Sequence, residues 1–415
     1  MTRPLGSTVA ATLCVAIYLA TPALAQSTDP PPDQAYFLVG QEPINPASPQ
    51  PNTQPLMGFL DQVGVGQSLR DARINLFGHL EGSFTHNFDN PAGDLNLGRV
   101  FDLKNDRATL NQVDFNAERL VDLTSHQFDV GGRVEFLYGG DARFIHSNGI
   151  LGHEDFFNGP EYQLDLTQLY LDVGVPVGNG LRVRAGKFLF FKQIDPNASV
   201  FYSHSFTFGA ALPFTLTGLT GYYPIDDRWS VEAGISRGWG QSLRDNNGAI
   251  DALGRVRYRA GDTTDIALAF ITGPELDHDN AHYRTALDFT VSQAVTDRLT
   301  LLLDAVFGHQ AQPSGTPDAN WYGLAGYAVY RINEYLSTAA RLEWYRDEEG
   351  FTTAVSQTLF EATVGLTITP FPNDPVGANF KLRPELRGDY STKTFFDGLS
   401  RHDQWTAAID AIFNF

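Results

Sequence analysis

The chain has 415 residues, with 29 Lys and Arg against 48 Asp and Glu, which gives a formal net charge of −19 at pH 7. This excess of acids excludes a typical nucleic-acid-binding protein, because binding to phosphates requires clustered Lys and Arg. Hydrophobic residues make up 42% of the chain, which is too apolar for a disordered protein, and the single cysteine, Cys14, excludes an internal disulfide.

The first 25 residues have the pattern of a Sec signal peptide. Arg3 precedes an apolar run at 9–20, and the small residues Ala23 and Ala25 mark a cleavage position. The run is shorter than the ~20 apolar residues that a membrane-spanning helix needs. We therefore expect Sec export of the chain, with cleavage near Ala25.

A Pro-rich stretch, residues 26–56, follows the cleavage position. Its Pro, Gln, Ser and Asn content predicts an extended periplasmic linker. Residues 57–71 are predicted to form a short helical segment, because Phe59, Leu60 and Val63 fall roughly on one helical face.

From Ala72 to Phe415 apolar and polar residues alternate, which is typical of strands with one face in an apolar environment. The predicted strands, each of about 9–14 residues, match the ~9–11 residues with which a tilted strand crosses a bilayer. They lie near residues 74–85, 108–119, 126–139, 167–175, 180–192, 213–223, 228–239, 252–260, 265–272, 283–294, 298–308, 320–331, 335–346, 358–369, 379–390 and 405–415.

Short and long connections alternate between these strands. Seven connections take about three to nine residues, and the eight others take about ten to twenty-two. An up-and-down barrel with tight turns on one rim and loops on the other produces this alternation, whereas a Greek-key sandwich does not require it. We therefore expect an all-β fold, a transmembrane antiparallel up-and-down β-barrel over residues 72–415 with about 16 strands, 14–18 being possible. Both chain ends then lie on the short-turn, periplasmic rim.

The polar register of the strands carries many charges of both signs. A packed protein core could not stabilise so many ions, whereas a water-filled lumen would keep them hydrated. The alternative, a soluble sandwich, would leave the apolar face in need of a partner sheet. The residues predicted to line the pore are Glu81, Asp114, Arg133, Glu135, Arg182, Arg184, Arg257, Arg341, Glu343, Arg383 and Glu385.

Aromatic residues cluster near strand ends and predict interfacial girdles, with Trp229, Trp321, Trp344 and Tyr345 among them. The chain itself ends in Phe415, after a strand with apolar residues at every second position. Such an ending resembles the assembly signal of bacterial outer-membrane proteins. It predicts that periplasmic chaperones and the barrel-assembly machinery are partners of the chain.

The third long connection, residues 193–212, is unusually apolar for a loop, since loops normally lie in water. We expect it to fold into the lumen and to constrict it, with Asp195, Tyr202, His204 and Phe206 near the narrowest point. The alternative is a loop that packs on the outer rim or on a neighbouring subunit. With an ordinary pKa near ~6.5, His204 would change its charge between about pH 5 and 8.

Several segments together resemble one known family, the putative β-barrel porin-2 (BBP2) family of outer-membrane proteins. The resemblance covers most of residues 57–415 and implies an outer-membrane channel, without naming a solute. The segments that carry it are Leu76–Asn87, Arg99–Asp102, Leu110–Gln112, Gln168–Leu171, Ala185–Phe188 and Phe201–Ser205.

These observations predict a porin of the bacterial outer membrane that lets small hydrophilic solutes diffuse and weakly prefers cations, since acids outnumber bases in the polar register. The alternative is a barrel that serves as a platform for an enzyme or an adhesin. No phosphate loop or dinucleotide motif occurs, and we expect no enzyme, cofactor or metal. The expected partners are outer-membrane lipid and lipopolysaccharide, with a homotrimer possible and no nucleic acid.

Overall fold

The computed structural model describes residues 54–151, 159–191 and 200–415, and most of these residues belong to one closed antiparallel sheet. Each strand pairs with its neighbours in sequence, and β1 pairs with β16. The predicted sixteen-stranded barrel is thereby confirmed. The strands are β1 (Ile74–Asn87), β2 (Arg107–Arg119), β3 (Asp129–Gly139), β4 (Gln163–Val175), β5 (Leu181–Leu189), β6 (Thr215–Pro224), β7 (Trp229–Ser236), β8 (Asp251–Ala260), β9 (Thr264–Pro274), β10 (Tyr283–Ala294), β11 (Leu299–Gln310), β12 (Ala319–Arg331), β13 (Leu336–Asp347), β14 (Gln357–Ile368), β15 (Phe380–Ser391) and β16 (Asp403–Asn414).

Helices are short and lie at the ends of the strands. None of those in the described ranges is long and apolar enough to cross a membrane. Residues 57–71 form two helices rather than one, because Gly64, with a φ of +82°, turns the chain between them. The α-helices are α1 (Pro55–Gln62), α2 (Gly66–Asp71), α3 (Ala142–Ile145), α4 (Phe206–Gly209) and α5 (Phe396–Leu399), and 3₁₀ turns occur at Ala92–Asp94, Pro313–Gly315 and Gly377–Asn379.

The barrel closes where the first strand meets the last. The register pairs Gly82 of β1 with Ala411 of β16. Below this pair, the backbones of Gly78 and Phe415 exchange two hydrogen bonds of 2.9 Å. Closure matters because an open sheet edge would leave backbone N–H and C=O groups unpaired, which is costly in lipid.

The two faces of the wall have the opposite polarity to those of a soluble protein. Along β1, Leu80 is 43% exposed on the outside, whereas its neighbour Glu81 is 2% exposed on the inside. The same alternation of exposed apolar and buried polar residues runs through the other strands. An apolar outer band around a polar interior is the arrangement of a barrel that faces lipid.

The strand boundaries differ most from the prediction at β4, which begins at Gln163 rather than near residue 167. The register between β3 and β4 shifts between Glu135 and Phe136, where Glu135 faces Gln168 and Phe136 faces Leu166. This bulge puts two consecutive residues, Thr167 and Gln168, in buried positions and interrupts the alternation that marks a strand.

The alternation of connection lengths is not strict, which corrects the expectation from the sequence. The turn 369–379 is longer than the loops 275–282 and 311–318 on the other rim. The predicted topology holds nevertheless, because the order of strand pairing and the closure between β1 and β16 do not depend on these lengths.

Replacing Phe415 by Asp is expected to lower the amount of folded protein in the outer membrane several-fold. The change puts a charge where the closing strand pairs with Gly78. The measurement is the folded, heat-modifiable fraction in isolated outer membranes. Phe371→Asp, an exposed aromatic residue in a turn of the same rim, is the control and should assemble normally. If the two variants insert equally well, Phe415 is not an assembly signal.

Candidate functional site

The loop between β5 and β6 enters the barrel. Its described part after the gap, residues 200–214, includes α4 and carries four aromatic side chains with little or no exposure. Three sequence-predicted constriction residues, Tyr202, His204 and Phe206, lie in this part and are buried. The fourth, Asp195, lies outside the described residues.

Two interior carboxylates hold the backbone of this loop. Glu343 of β13 accepts hydrogen bonds from the backbone N–H groups of Phe206 and Thr207, each at 2.7 Å. Glu385 of β15 accepts one from the N–H of Ser203, at 3.2–3.3 Å to its two oxygens. Buried backbone N–H groups need such partners, and an ionised acceptor makes the bond stronger.

Two arginines hold the carbonyl groups of the same segment. Arg341 of β13 donates to the carbonyl oxygen of Ser203 at 2.8 Å, and Arg387 of β15 donates to that of His204 at 2.5 Å. Arg341 is itself fixed by Glu361 of the intervening strand, at 2.8 Å. We call Arg341, Glu343, Glu385 and Arg387 the loop clamp. Each of its members binds the backbone of the loop, so the clamp fixes the path of the loop.

Tyr202 extends the attachment to the first two strands. Its hydroxyl lies 2.7 Å from Ser83 Oγ of β1 and 3.1 Å from Asn111 Nδ2 of β2, and both of these groups donate to it. The loop is therefore held along a wall that runs from β13 through the closure to β2.

A second loop, between β1 and β2, packs against the first. The side chain of Arg99 is fully buried and pairs with Asp389 of β15 at 2.6 Å and with Asp102 at 2.5 Å. Next to it, the ring of Phe101 lies 5.1 Å from the ring of His204 and 5.8 Å from that of Phe208. Sequence reasoning did not assign these residues to the site, although Arg99 and Phe101 lie in a segment that carried the family resemblance.

The loop between β15 and β16 covers the same place with Phe395 and Phe396. Both side chains are buried in the cluster that contains Phe206. Gly98 of the β1–β2 loop fits between the rings, since a Cβ there would lie 3.0 Å from Phe395 and 3.1 Å from Phe206. Three loops thus meet inside the barrel on the side of the long connections.

The half of the interior next to these loops is an apolar core. Trp321 and Tyr345 are fully buried there, together with Phe188, Leu359 and other inward residues near the loop ends of the strands. The expectation that Trp321 and Tyr345 belong to interfacial girdles is therefore wrong, whereas Trp229 and Trp344 are exposed on the outside. An aromatic residue near a strand end has the same sequence signal in both positions, and only its register decides the side.

All eleven residues predicted to line the pore project into the interior, but they are not hydrated as expected. Ten are buried and Arg133 is half-buried. Neighbouring strands place opposite charges side by side: Arg184 faces Asp172 at 2.9 Å, and Arg383 faces Asp410 at 2.6 Å.

The remaining members of the set outside the loop clamp also have ionisable partners, on the same strand, the next strand or the one after it. Arg383 also contacts Glu81 at 3.1 Å, Arg257 contacts Asp265 at 2.6 Å, and Arg182 lies 3.5 Å from Glu232. Close to the first strands, Arg133 contacts Glu135 at 2.6 Å, and Asp114 lies 3.5 Å from a ring nitrogen of His79. This pairing neutralises the buried charges of the set locally, so they do not act as a free charged lining.

Accessible charge remains toward the short-turn rim. Glu118, Arg133 and Arg259 are half-buried and lie near the strand ends at that rim. The described interior thus has two parts, a packed half beside the loops and a charged half that is more open to water. No group of three or more His, Cys, Asp or Glu side chains in the described ranges could hold a metal ion.

His204 does not have an ordinary environment. Burial, together with the positive charges of Arg341, Arg383 and Arg387, holds the pKa of its imidazole well below the usual value. The rings of Phe101 and Phe208, which contact the imidazole, carry no negative charge that would raise its pKa again. The docked imidazole is therefore neutral, and the expected change of its charge between pH 5 and 8 is wrong for the docked loop.

Comparisons with known proteins agree with this architecture. A family model described as "Putative beta-barrel porin-2, OmpL-like" matches residues 73–415. No curated protein matches the chain in sequence. Among solved structures, the outer membrane channel DcaP of Acinetobacter baumannii is 11% identical, with a TM-score of 0.57, over 82% of this chain and 97% of its own.

Two further structures are similar. The anion-selective porin from Comamonas acidovorans is 11% identical, with a TM-score of 0.56, over 82% of this chain and 99% of its own. The trimer form of OmpT from Vibrio cholerae, folded in vitro, is 12% identical, with a TM-score of 0.54, over 82% of this chain and 99% of its own. At such identities the likeness shows a common fold.

Acid is expected to weaken the docking of the loop. A released imidazole takes up a proton near pH ~6.5 and the docked one does not, so docking is at full strength above that pH and weakens tenfold per unit below it, about 30-fold at pH 5. Hydrogen exchange of residues 200–208 across pH 5–8 measures this. His204→Gln, which cannot be charged, serves as the matched control, and an identical pH dependence in both proteins would contradict the assignment.

Proposed function

Since the chain belongs to the putative beta-barrel porin-2, OmpL-like family, we propose that it forms a channel through which small hydrophilic solutes diffuse across the bacterial outer membrane. The observation that carries the proposal is a closed barrel with an apolar exterior, a polar interior and a loop held inside by charged side chains. Closure without a strand edge and an apolar outer band suit a membrane, and sixteen strands enclose more space than side chains alone fill.

The loop inside the barrel is the part that sets the size of the permitted solute. It lies between the packed half and the charged half of the interior, so a solute has to pass beside it or displace it. Ser203, His204, Phe206 and Thr207 are held by their backbone, which leaves the position of the loop dependent on the loop clamp.

A weak cation preference is the second part of the proposal. Buried acids outnumber buried bases in the described interior, and a low-dielectric wall focuses the field of such an imbalance. Pairing between neighbours keeps the preference weak. The porin from Comamonas acidovorans is anion-selective with a similar fold, so the placement of charges rather than the fold has to decide selectivity.

The proposed setting is the outer membrane, after Sec export and cleavage near Ala25. There the outer band would contact lipid and lipopolysaccharide, after delivery by periplasmic chaperones to the barrel-assembly machinery. A homotrimer is part of the proposal, supported by the trimer form of OmpT, which has a similar fold.

The second candidate function is a barrel that serves as a platform for an enzyme or an adhesin. One observation favours it: three loops and an apolar core fill the loop half of the described interior. The two candidates differ in a simple property, since a platform needs no passage for solutes through its barrel.

Weakening the loop clamp is expected to admit larger solutes. The double change Glu343→Gln and Glu385→Gln keeps the shape of the side chains but removes the charge from bonds worth about 1.5–3 kcal/mol each. The measurement is the swelling rate of proteoliposomes in sugars of increasing size. Glu334→Gln, an exposed acid in a turn outside the barrel, is the control and should swell as the unchanged protein does. Equal size limits in all three proteins would show that the loop does not set the limit.

Opposite changes in selectivity are expected from two neighbours near the short-turn rim. Arg133 and Glu118 lie 3.9 Å apart and are both half-buried. Arg133→Gln should strengthen the cation preference and Glu118→Gln should weaken it, and both effects should fade as salt shortens the screening length to ~10 Å at 0.1 M. Reversal potentials in a KCl gradient measure this, and a clear anion preference of the unchanged protein would overturn the proposal.

A further inference from the structure

The helix α1 completes the barrel wall where β16 ends. β1 begins four residues before Gly78, where its pairing with Phe415 at the end of β16 stops. The backbone N–H of Leu76, two residues before Gly78, points to the same side of the strand as that of Gly78. It donates to Met57 Sδ of α1 at 3.4 Å. The helix thus lies next to the edge of β1, in line with the wall.

The attachment point places α1 at a defined level of the wall. Leu76 is the third residue of β1, so the helix lies at the short-turn rim. At this rim other strands carry exposed aromatic side chains at their ends, Trp229, Tyr330 and Tyr335. Trp and Tyr are enriched at the level of the lipid headgroups, so α1 lies where the apolar band meets the periplasmic headgroups.

One face of α1 remains apolar and uncovered. Met57 is 1% exposed, whereas Phe59 and Val63, on the opposite side of the helix, are 58% and 55% exposed. The polar residues Asp61 and Gln62 lie on a different arc, where Asp61 pairs with Arg70 of α2 at 2.5 Å. A short helix with one apolar side buried and another apolar side uncovered has the pattern of a helix that lies in a membrane interface.

The surroundings continue the apolar surface. On the other side of the end of β16, the turn 369–379 exposes Phe371 and Val376. Phe413 and Phe415 lie between this turn and α1, on the outward register of β16. The rim on which α1 lies thus carries further exposed apolar side chains next to the end of β16.

We propose that the face of α1 formed by Phe59 and Val63 inserts into the periplasmic leaflet of the outer membrane, among the glycerol and upper acyl groups of its phospholipids. The helix then has two roles. Met57 accepts the hydrogen bond from the backbone of Leu76 at the edge of β1, and the opposite face attaches α1 to the membrane surface. This inference concerns the membrane contact of the helix and does not depend on conduction through the barrel.

Single-cysteine labelling of the whole protein tests the proposal. In a Cys14→Ser background, Phe59→Cys and Gln62→Cys each carry the fluorophore NBD, and the protein is reconstituted in phosphatidylethanolamine–phosphatidylglycerol vesicles. Gln62 is the matched control, because it is exposed on the polar side of the same helix. Iodide on both sides of the membrane reports contact with water, and a lipid with a doxyl group near the glycerol reports contact with the leaflet.

The label at position 59 is expected to be quenched by the doxyl lipid and to have an iodide quenching constant roughly threefold or more below that at position 62. Equal access of iodide to both labels would overturn the proposal. Protection of the label at position 59 from both quenchers would overturn it too, because it would place the face against a second copy or another protein. Heat-modifiable mobility of both labelled proteins confirms that the barrel is folded in each case.

Discussion

Closure of the backbone ladder is the constraint on which the rest of the structure depends. In lipid every backbone N–H and C=O group needs a partner within the protein, so the sheet has to return to its first strand. The reciprocal hydrogen bonds between Gly78 and Phe415 achieve this at the end of the chain. Met57 satisfies the next free N–H group, that of Leu76. With the wall complete, apolar side chains can face outward without an edge that invites pairing.

Closure also creates an interior whose polar and charged groups need partners. Strand alternation sends every second residue inward, and adjacent strands bring acids and bases next to one another, as in the pairs of Arg184 with Asp172 and Arg383 with Asp410. Charges that lie near the loop instead bind its backbone. The loop clamp converts ionised groups, which are costly to bury alone, into the supports of a segment that crosses the interior.

Much of this could be predicted from the sequence, because a barrel repeats one simple pattern. Alternation located the strands, and the apolar composition of residues 193–212 indicated a loop inside the barrel. The bulge at Glu135 escaped prediction, since a bulge disturbs the alternation that identifies a strand. The apolar core around Trp321 was not predicted, for another reason. The sequence gives the register of an aromatic residue only when the strand boundary is known to within one residue.

The sequence could not predict which charged residues pair with one another, nor that four of them hold the loop. Arg341 and Glu343 show the pattern of pore-lining charges, and nothing in their spacing distinguishes a side chain that faces water from one that binds a loop. That distinction depends on contacts between β13 and residues about 140 positions earlier. Likewise, the environment of His204 is set by three arginines from two distant strands.

Single-channel conductance of the purified protein in a planar bilayer tests the central claim most directly. If the barrel is a channel with a loop in its lumen, we expect discrete current steps, and the size of each step should rise with the salt concentration. Folded, heat-modifiable protein that inserts into the bilayer but carries no current would contradict the claim, and it would favour a barrel that serves as a platform.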